Sequence, residues 1–381
     1  MSEIPLVSET PFALEGAATR TRRACLFLTT NGAEPCGVEI FTRKLVAALA
    51  AGASDAGCEL MPISGSWRDL PATMLRIARA QKVVFSAPLV AWTRMLVQPL
   101  LLLLFAFLFR RRIGLVLHEW SALHPLRRFS LFPFVVLSDT ILVLSPYIRA
   151  QVAHDRWIAR AARKCRLIPH PPSMRRPAQV ATTAMARQIE TAAADCDIVI
   201  GSFGSIYRGT GATALLEICD HLRNRGICAL GVFIGNFTSS LDDYERQFRT
   251  RLRELALERQ VIITGYVATE DELFALFERV DVFLFQFHEG LTARRASVIA
   301  CLQSDRPVIV SAPLSRNEFL HHAGLTALIE RGALSFVPRS ASANEIADQL
   351  LAAGRRGTSA TPAIDVDAWW SATTSAARAA L

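Results

Sequence analysis

The chain has 381 residues, 51% of them hydrophobic, which is more than one core usually holds and enough for two. Its formal net charge is +8, and Lys44, Lys82 and Lys164 are its only lysines, so the excess is arginine. A basic balance suits phosphorylated ligands, an anionic membrane surface or nucleic acid. The arginines are spread along the chain instead of forming a stripe with interleaved aromatics, which argues against nucleic acid. The eight cysteines form no Cys-x-x-Cys pair and read as buried thiols of a reducing cytoplasm.

Residues 1–22 are polar and mixed, a loose lead-in without the apolar segment of a signal peptide. Ala24 to Thr30 reads as a first strand. A loop through Cys36 and Gly37 follows, and Glu39 to Ala51 has helical spacing. Lys82 to Ser86 is a second strand. Met95 to Phe109 is the most apolar stretch and ends in Arg110-Arg111-Arg112. It is short of the roughly 20 apolar residues of a membrane span. It is either a core helix under the sheet or a helix lying on a membrane with its arginines at the headgroups. Ile113 to Leu117 is a strand that delivers His118-Glu119 at its carboxyl end, where open α/β sheets bind ligands. No His-Glu-x-x-His is present, so a zinc protease is excluded. Strands follow at Asp139 and Arg166. Residues 173–196 are rich in Pro, Ala, Thr and Arg and read as a linker.

A second domain opens with a strand from Asp197 and a glycine-bearing loop, Gly204 to Gly209. Asp195-x-Asp197 precedes that strand, the wrong side for a metal-binding pair. Further strands are expected at Cys228 to Ile234 and Val261 to Thr264. Asp281 to Phe287 is a near-continuous apolar run, as in a strand buried on both faces. A turn, His288-Glu289-Gly290-Leu291-Thr292, leads to a helix and to another strand at Arg306 to Val310. Thr292 is the expected N-cap, with Arg294 and Arg295 in the first turn. Cations there oppose the helix dipole, so free N–H groups and two guanidiniums mark a site for an anion such as phosphate. The tail from Ala352 is read as a loop followed by Trp369-Trp370 and an Ala-rich helix.

The segment Gly265 to Phe277, the Asp281 strand, Glu289-Gly290 and Arg306-Pro-Val together resemble retaining GT-B glycosyltransferases of the large family-four type. The resemblance covers residues 197–337 well and 24–172 loosely. It implies an α/β chain with two Rossmann-like domains facing across a cleft: residues 23–172 on the acceptor side and 197–355 on the nucleotide-sugar side. Residues 356–381 form a tail that crosses back to the first domain in many such chains. Glu289 would meet donor sugar hydroxyls, and Ser297 stands where a second Glu normally meets the ribose. Thr292-x-Arg294-Arg295-x-Ser297 is similar to a bacterial subgroup. Arg208-Gly209 looks like the family's diphosphate-binding Lys-Gly. With Gly204, Gly290, Leu291, Thr292, Arg294 and Arg295 it would hold the donor diphosphate. Tyr266 and Val267 lie where the family packs the base. Gly37 matches the second glycine of its amino-terminal loop, Cys36 replacing the first. His118 looks like the histidine placed near the donor sugar.

The implied activity is sugar transfer from a nucleotide-diphosphate sugar to a glycan, lipid-linked or small-molecule acceptor, requiring no cofactor and no metal. His118 and Glu289 are the catalytic candidates. A nucleotide-sugar epimerase of the same fold is the alternative enzyme. A binding module that kept the fold and lost chemistry is the alternative outside enzymes, with Ser297, Ser202 and Cys36 in its favour. The expected location is the cytoplasm, or the inner face of the cytoplasmic membrane.

Overall fold

The computed structural model describes residues 25–30, 37–51, 57–89, 97–180, 182–238, 243–356 and 364–381. The first half runs β1 (Cys25–Thr30), α1 (Gly37–Ala51), β2 (Cys58–Ile63), α2 (Leu70–Arg79), β3 (Lys82–Ala87), α3 (Val97–Leu108), β4 (Arg112–Leu117), α4 (Pro125–Leu137), β5 (Thr140–Val143), α5 (Pro146–His154) and β6 (Cys165–Leu167). The second runs α6 (Ala184–Ala193), β7 (Ile198–Phe203), α7 (Ala212–Asn224), β8 (Ala229–Ile234), α8 (Tyr244–Glu254), β9 (Val261–Ile263), α9 (Glu270–Phe277), β10 (Val282–Phe285), α10 (Ala296–Leu302), β11 (Val308–Ser311), α11 (Ala323–Glu330), β12 (Leu334–Val337), α12 (Ala343–Arg356) and α13 (Val366–Ala380).

Each half is a parallel sheet with helices on both faces. The first has the order β2-β1-β3-β4-β5-β6 and the second β12-β11-β10-β7-β8-β9. The central strands are apolar on both faces because both are covered: β1, β3 and β8 are buried along their whole length. In each sheet the chain starts in the middle, moves one way, then returns to the other side. The switch points fall between β1 and β3 and between β7 and β10. Ligands of such sheets bind outside the carboxyl ends of the strands at that crevice.

Two strands lie beyond the sequence reading. β2 and β12 are edge strands, only partly buried, and lack the unbroken apolar run that marked the others. Cys36 falls outside the described residues. The tail begins later than expected, since α12 continues to Arg356.

α13 belongs by contact to the first half. Ala377 sits in the core with Phe27, Phe41, Val116 and Leu142. Thr373 Oγ1 donates to Pro169 O at 3.0 Å, Trp370 Nε1 to Pro172 O at 3.1 Å and Arg378 to Leu49 O at 2.8 Å. Its other tryptophan faces the second half: Trp369 packs edge-on to His322 at 4.6 Å between centroids and fills the space beside Gly324. One helix thus ties both halves together. α6, inside the stretch read as linker, buries Ala186 and Ile189 in the core of the second half.

Candidate active site

The loop after β10 is shaped by Gly290. Its φ is +73°, in the left-handed region, and a Cβ there would lie 2.0 Å from Ala312 O. Only glycine combines that turn with so close an approach. The loop is fastened to the neighbouring strand, Leu291 N donating to Ser311 O at 2.9 Å and Ser311 Oγ to Phe287 O at 2.8 Å. Ala293 N then donates to the buried Glu318 carboxylate at 2.9 Å.

Thr292 is not the N-cap. α10 starts at Ala296 with Arg295 in the cap position, its side chain making no cap bond. Thr292 is drawn into the wall between the halves, where its Oγ1 is buried without a partner among the described residues. The turn between them is closed by Arg295 N to Thr292 O at 3.1 Å.

The two arginines are not free cations, as the helix-start argument had them. Both side chains are 12% exposed and both are paired. Arg294 reaches across the cleft to Glu119 at 2.8 Å, and lies 3.5 Å from Glu289. Arg295 holds the same Glu289 oxygen, donates to the Tyr207 hydroxyl at 3.0 Å and lies over the Phe287 ring at 4.2 Å from its centroid. A planar guanidinium suits this combination of ion pair and ring stacking. The Nε atoms of both arginines are buried and unpartnered among the described residues.

These side chains line a cavity of about 550 Å³ between the halves. It opens at the carboxyl ends of β7 and β10 on one side and β1, β3 and β4 on the other, where the switch points predict a ligand. His118 forms part of its wall, and its Nε2 is buried with no partner among the described residues. Burial pushes the His118 pKa down to about 3, helped by the nearby His170 and Arg294, so the ring is neutral near pH 7. His170 also lines the cavity, its Nδ1 donating to Pro171 O at 2.8 Å, and burial lowers its pKa to about 4. The two rings flank Phe41, at 5.3 and 5.5 Å between centroids.

The cavity gathers Gly37, His118, Gly204, Arg294, Arg295 and Ser297 from the sequence candidates. Gly204 and Ser297 are in near contact, a Cβ on the glycine meeting the Ser297 Cβ at 3.4 Å. Glu289 stands behind the arginines as their counter-ion, and Gly290 supports the loop. The other candidates lie elsewhere. Arg208 is turned onto α8, donating to Gln247 at 2.9 Å and lying over the Tyr244 ring, because that helix offers it an acceptor and an aromatic face. Tyr266 is 83% exposed and Val267 packs against the core of the second half. Leu291 and Thr292 line a separate cavity of about 590 Å³ with Trp120, Tyr147 and Glu318. Asp197 accepts from Cys228 N at 2.8 Å at the start of the sheet.

Arg127, His170 and Tyr207 were not singled out from the sequence, yet all three line the cavity that holds the arginines. His170 follows β6 as His118 follows β4, so the same strand-end rule could have found it. Nothing local marks Arg127, whose guanidinium reaches Leu89 O from α4 at 2.8 Å.

No protein-family model matches the chain, and no curated protein does. Solved structures do. Anabaena HepE in complex with UDP-glucose superposes with a TM-score of 0.59 at 15% identity, over 94% of this chain and 100% of that one. Sucrose-phosphate synthase from Thermosynechococcus elongatus gives 0.57 at 16% identity, over 94% of each. The chain has the GT-B fold. A glycosyltransferase from Rickettsia africae agrees, with a TM-score of 0.53 at 11% identity over 94% of this chain and 93% of that one. At such identities the likeness is one of architecture alone.

Two predictions follow from the charges in the cleft. Arg295→Ala strands the Glu289 carboxylate beside a single distant guanidinium, and should destabilise the empty protein by about 2–4 kcal/mol, read as a fall of several degrees in melting temperature. The second concerns acid. Unfolded His118 binds a proton below pH 6.5 and the folded form not until about pH 3, so stability is complete above 6.5 and lost as pH falls. Melting curves between pH 7 and 4 should show this, and His118→Gln should flatten the decline by about 1.4 kcal/mol per pH unit.

Proposed function

We propose that the chain is a glycosyltransferase that moves a sugar from a nucleotide-diphosphate sugar to an acceptor hydroxyl, with retention at the transferred carbon. The observation that carries this reading is the pair of buried guanidiniums at the β7–β10 switch point of a GT-B frame, facing a cavity of about 550 Å³. Guanidiniums grip phosphate oxygens in pairs, and this pair is already largely desolvated, so once an anion displaces the carboxylates their charge acts on it with little screening by water. The likeness to HepE, described with UDP-glucose, supports a nucleotide-diphosphate sugar as the donor.

In the mechanism, the bond from the sugar to the diphosphate breaks, a bond to the acceptor oxygen forms, and the proton that the acceptor hydroxyl loses leaves with the diphosphate. Charge gathers on the departing diphosphate, and Arg294 and Arg295 stabilise it there. They supply this charge without a metal. As the diphosphate takes over the guanidiniums, Glu289 is released to accept hydrogen bonds from donor sugar hydroxyls. His118, neutral and with Nε2 unsatisfied, bonds a sugar hydroxyl from the opposite wall. Arg208 contributes only if it leaves Gln247. The acceptor, a glycan, a lipid-linked or a small hydroxylated molecule, enters from the first half.

The test is release of nucleotide from UDP-glucose and related donors, with calorimetry of the plain nucleotide diphosphate alongside. Arg294→Ala should cost about 1.5–3 kcal/mol of diphosphate affinity. His118→Ala should leave that affinity intact and lower turnover at least tenfold, about 1.4 kcal/mol of barrier. Diphosphate binding that survives Arg294→Ala unchanged, or turnover indifferent to His118→Ala, would remove these residues from the site.

A further inference from the structure

The outer helical layer of the first half departs from the usual surface pattern. α3 carries no polar residue except Gln98, which is buried and donates to Ser66 O at 3.2 Å. Its inner face, Pro99, Leu102, Leu103 and Ala106, is buried, and the helix packs beside α2 and α4. Its outer face is Val97, Leu104, Phe107 and Leu108, exposed by 59, 48, 50 and 66%. Positions 97, 104 and 108 fall in one helical stripe, with the half-buried Leu101 between them. A surface helix of a globular domain carries charged residues there.

α4 repeats the pattern. Leu126, Phe129 and Val136 are exposed by 74, 80 and 38%, with the half-buried Pro133 in the same stripe. Both helices bury their inner faces in the same core on one face of the first sheet, so their outer faces form one surface. Arginines frame it. Arg110 and Arg112 are exposed just beyond α3 and Arg79 is exposed at the end of α2, whereas Arg127 and Arg128 in the first turn of α4 are half-buried and line the cavities between the halves. Residues 97–138 hold five arginines and one carboxylate, Glu119, which Arg294 holds inside the cleft.

We propose that the α3–α4 face docks on an anionic phospholipid bilayer, its apolar stripe among the acyl chains and its arginines on the phosphates. An apolar centre with a cationic rim matches the layering of a bilayer surface. The face lies on the bilayer and does not cross it: α3 has 12 residues, about 18 Å, against a hydrocarbon core of about 30 Å. No helix among the described residues is long and apolar enough to cross. The face begins at the cleft, since Pro88 and Arg127 line both the cavity there and the small gap between α3 and α4. The inference stands independently of sugar transfer.

The experiment is sedimentation of the full chain with vesicles of phosphatidylcholine, with and without phosphatidylglycerol, beside size-exclusion chromatography. The chain should sediment with the anionic vesicles, stay largely in solution with the neutral ones, and be released by salt. Arg110→Gln with Arg112→Gln should lower the partition coefficient about tenfold or more. Phe107→Ser with Leu108→Ser, and Phe129→Ser separately, should do the same while melting as the parent does, because all three side chains are exposed. A parent that ignores anionic vesicles, or variants that bind them as the parent does, would overturn the proposal. So would a parent that elutes as a dimer and becomes a monomer on Phe107→Ser with Leu108→Ser, for then a second copy covers the face.

Discussion

Arg294 and Arg295 are adjacent in the chain and share the floor of the cleft, each with its side chain only 12% exposed. Two like charges in that setting repel and have lost their hydration, so each needs a fixed counter-charge. Glu289 serves both from the same loop, and Glu119 serves Arg294 from the opposite half. The second pair means that the electrostatics of the cleft also help to set how the halves meet. The empty site therefore holds its cations in a stable, compensated form. Under the proposed function, an incoming diphosphate would compete with carboxylates that are already present.

The backbone round this cluster is constrained to match. Gly290 turns left-handed against Ala312 O, which brings Glu289 back beneath the guanidiniums. Phe287 gives Arg295 a ring to lie on, and Tyr207 gives it a hydroxyl from the loop after β7. The two loops of one switch point thus fix a single side chain. α13, tied to the first half through Thr373 and Trp370 and to the second through Trp369, holds the halves at the distance the Glu119 contact requires.

Much of this was legible in the residues. The inner strands declare themselves as apolar runs, and the sheet-end rule places His118 and the Glu289 loop at the cleft before any contact is known. The arginines were legible as an oddity at a helix start, and their compensation was not. Glu119 lies 175 residues from Arg294, and only the packing of two domains brings the pair together. The same limit explains Thr292: its hydroxyl is a good cap by local rules, but tertiary packing draws it into the wall and shifts the helix start to Ala296. Arg208 was assigned by its neighbour Gly209, while its position depends on Gln247, which no local pattern links to it. α3 was open to two readings, a core helix or a helix on a membrane, and its packing bears on the first. One face is core and the other is exposed.

The central claim is that the diphosphate displaces a carboxylate from Arg294 and Arg295. The most direct measurement is calorimetry of UDP with the parent and with Glu289→Gln. With the competing charge removed but the side chain's shape kept, the account predicts affinity at least about fivefold tighter, the scale expected for one charge several ångströms from the ligand in a partly desolvated site. Unchanged or weaker binding in Glu289→Gln would contradict it, since the carboxylate would then be no rival of the ligand for these arginines.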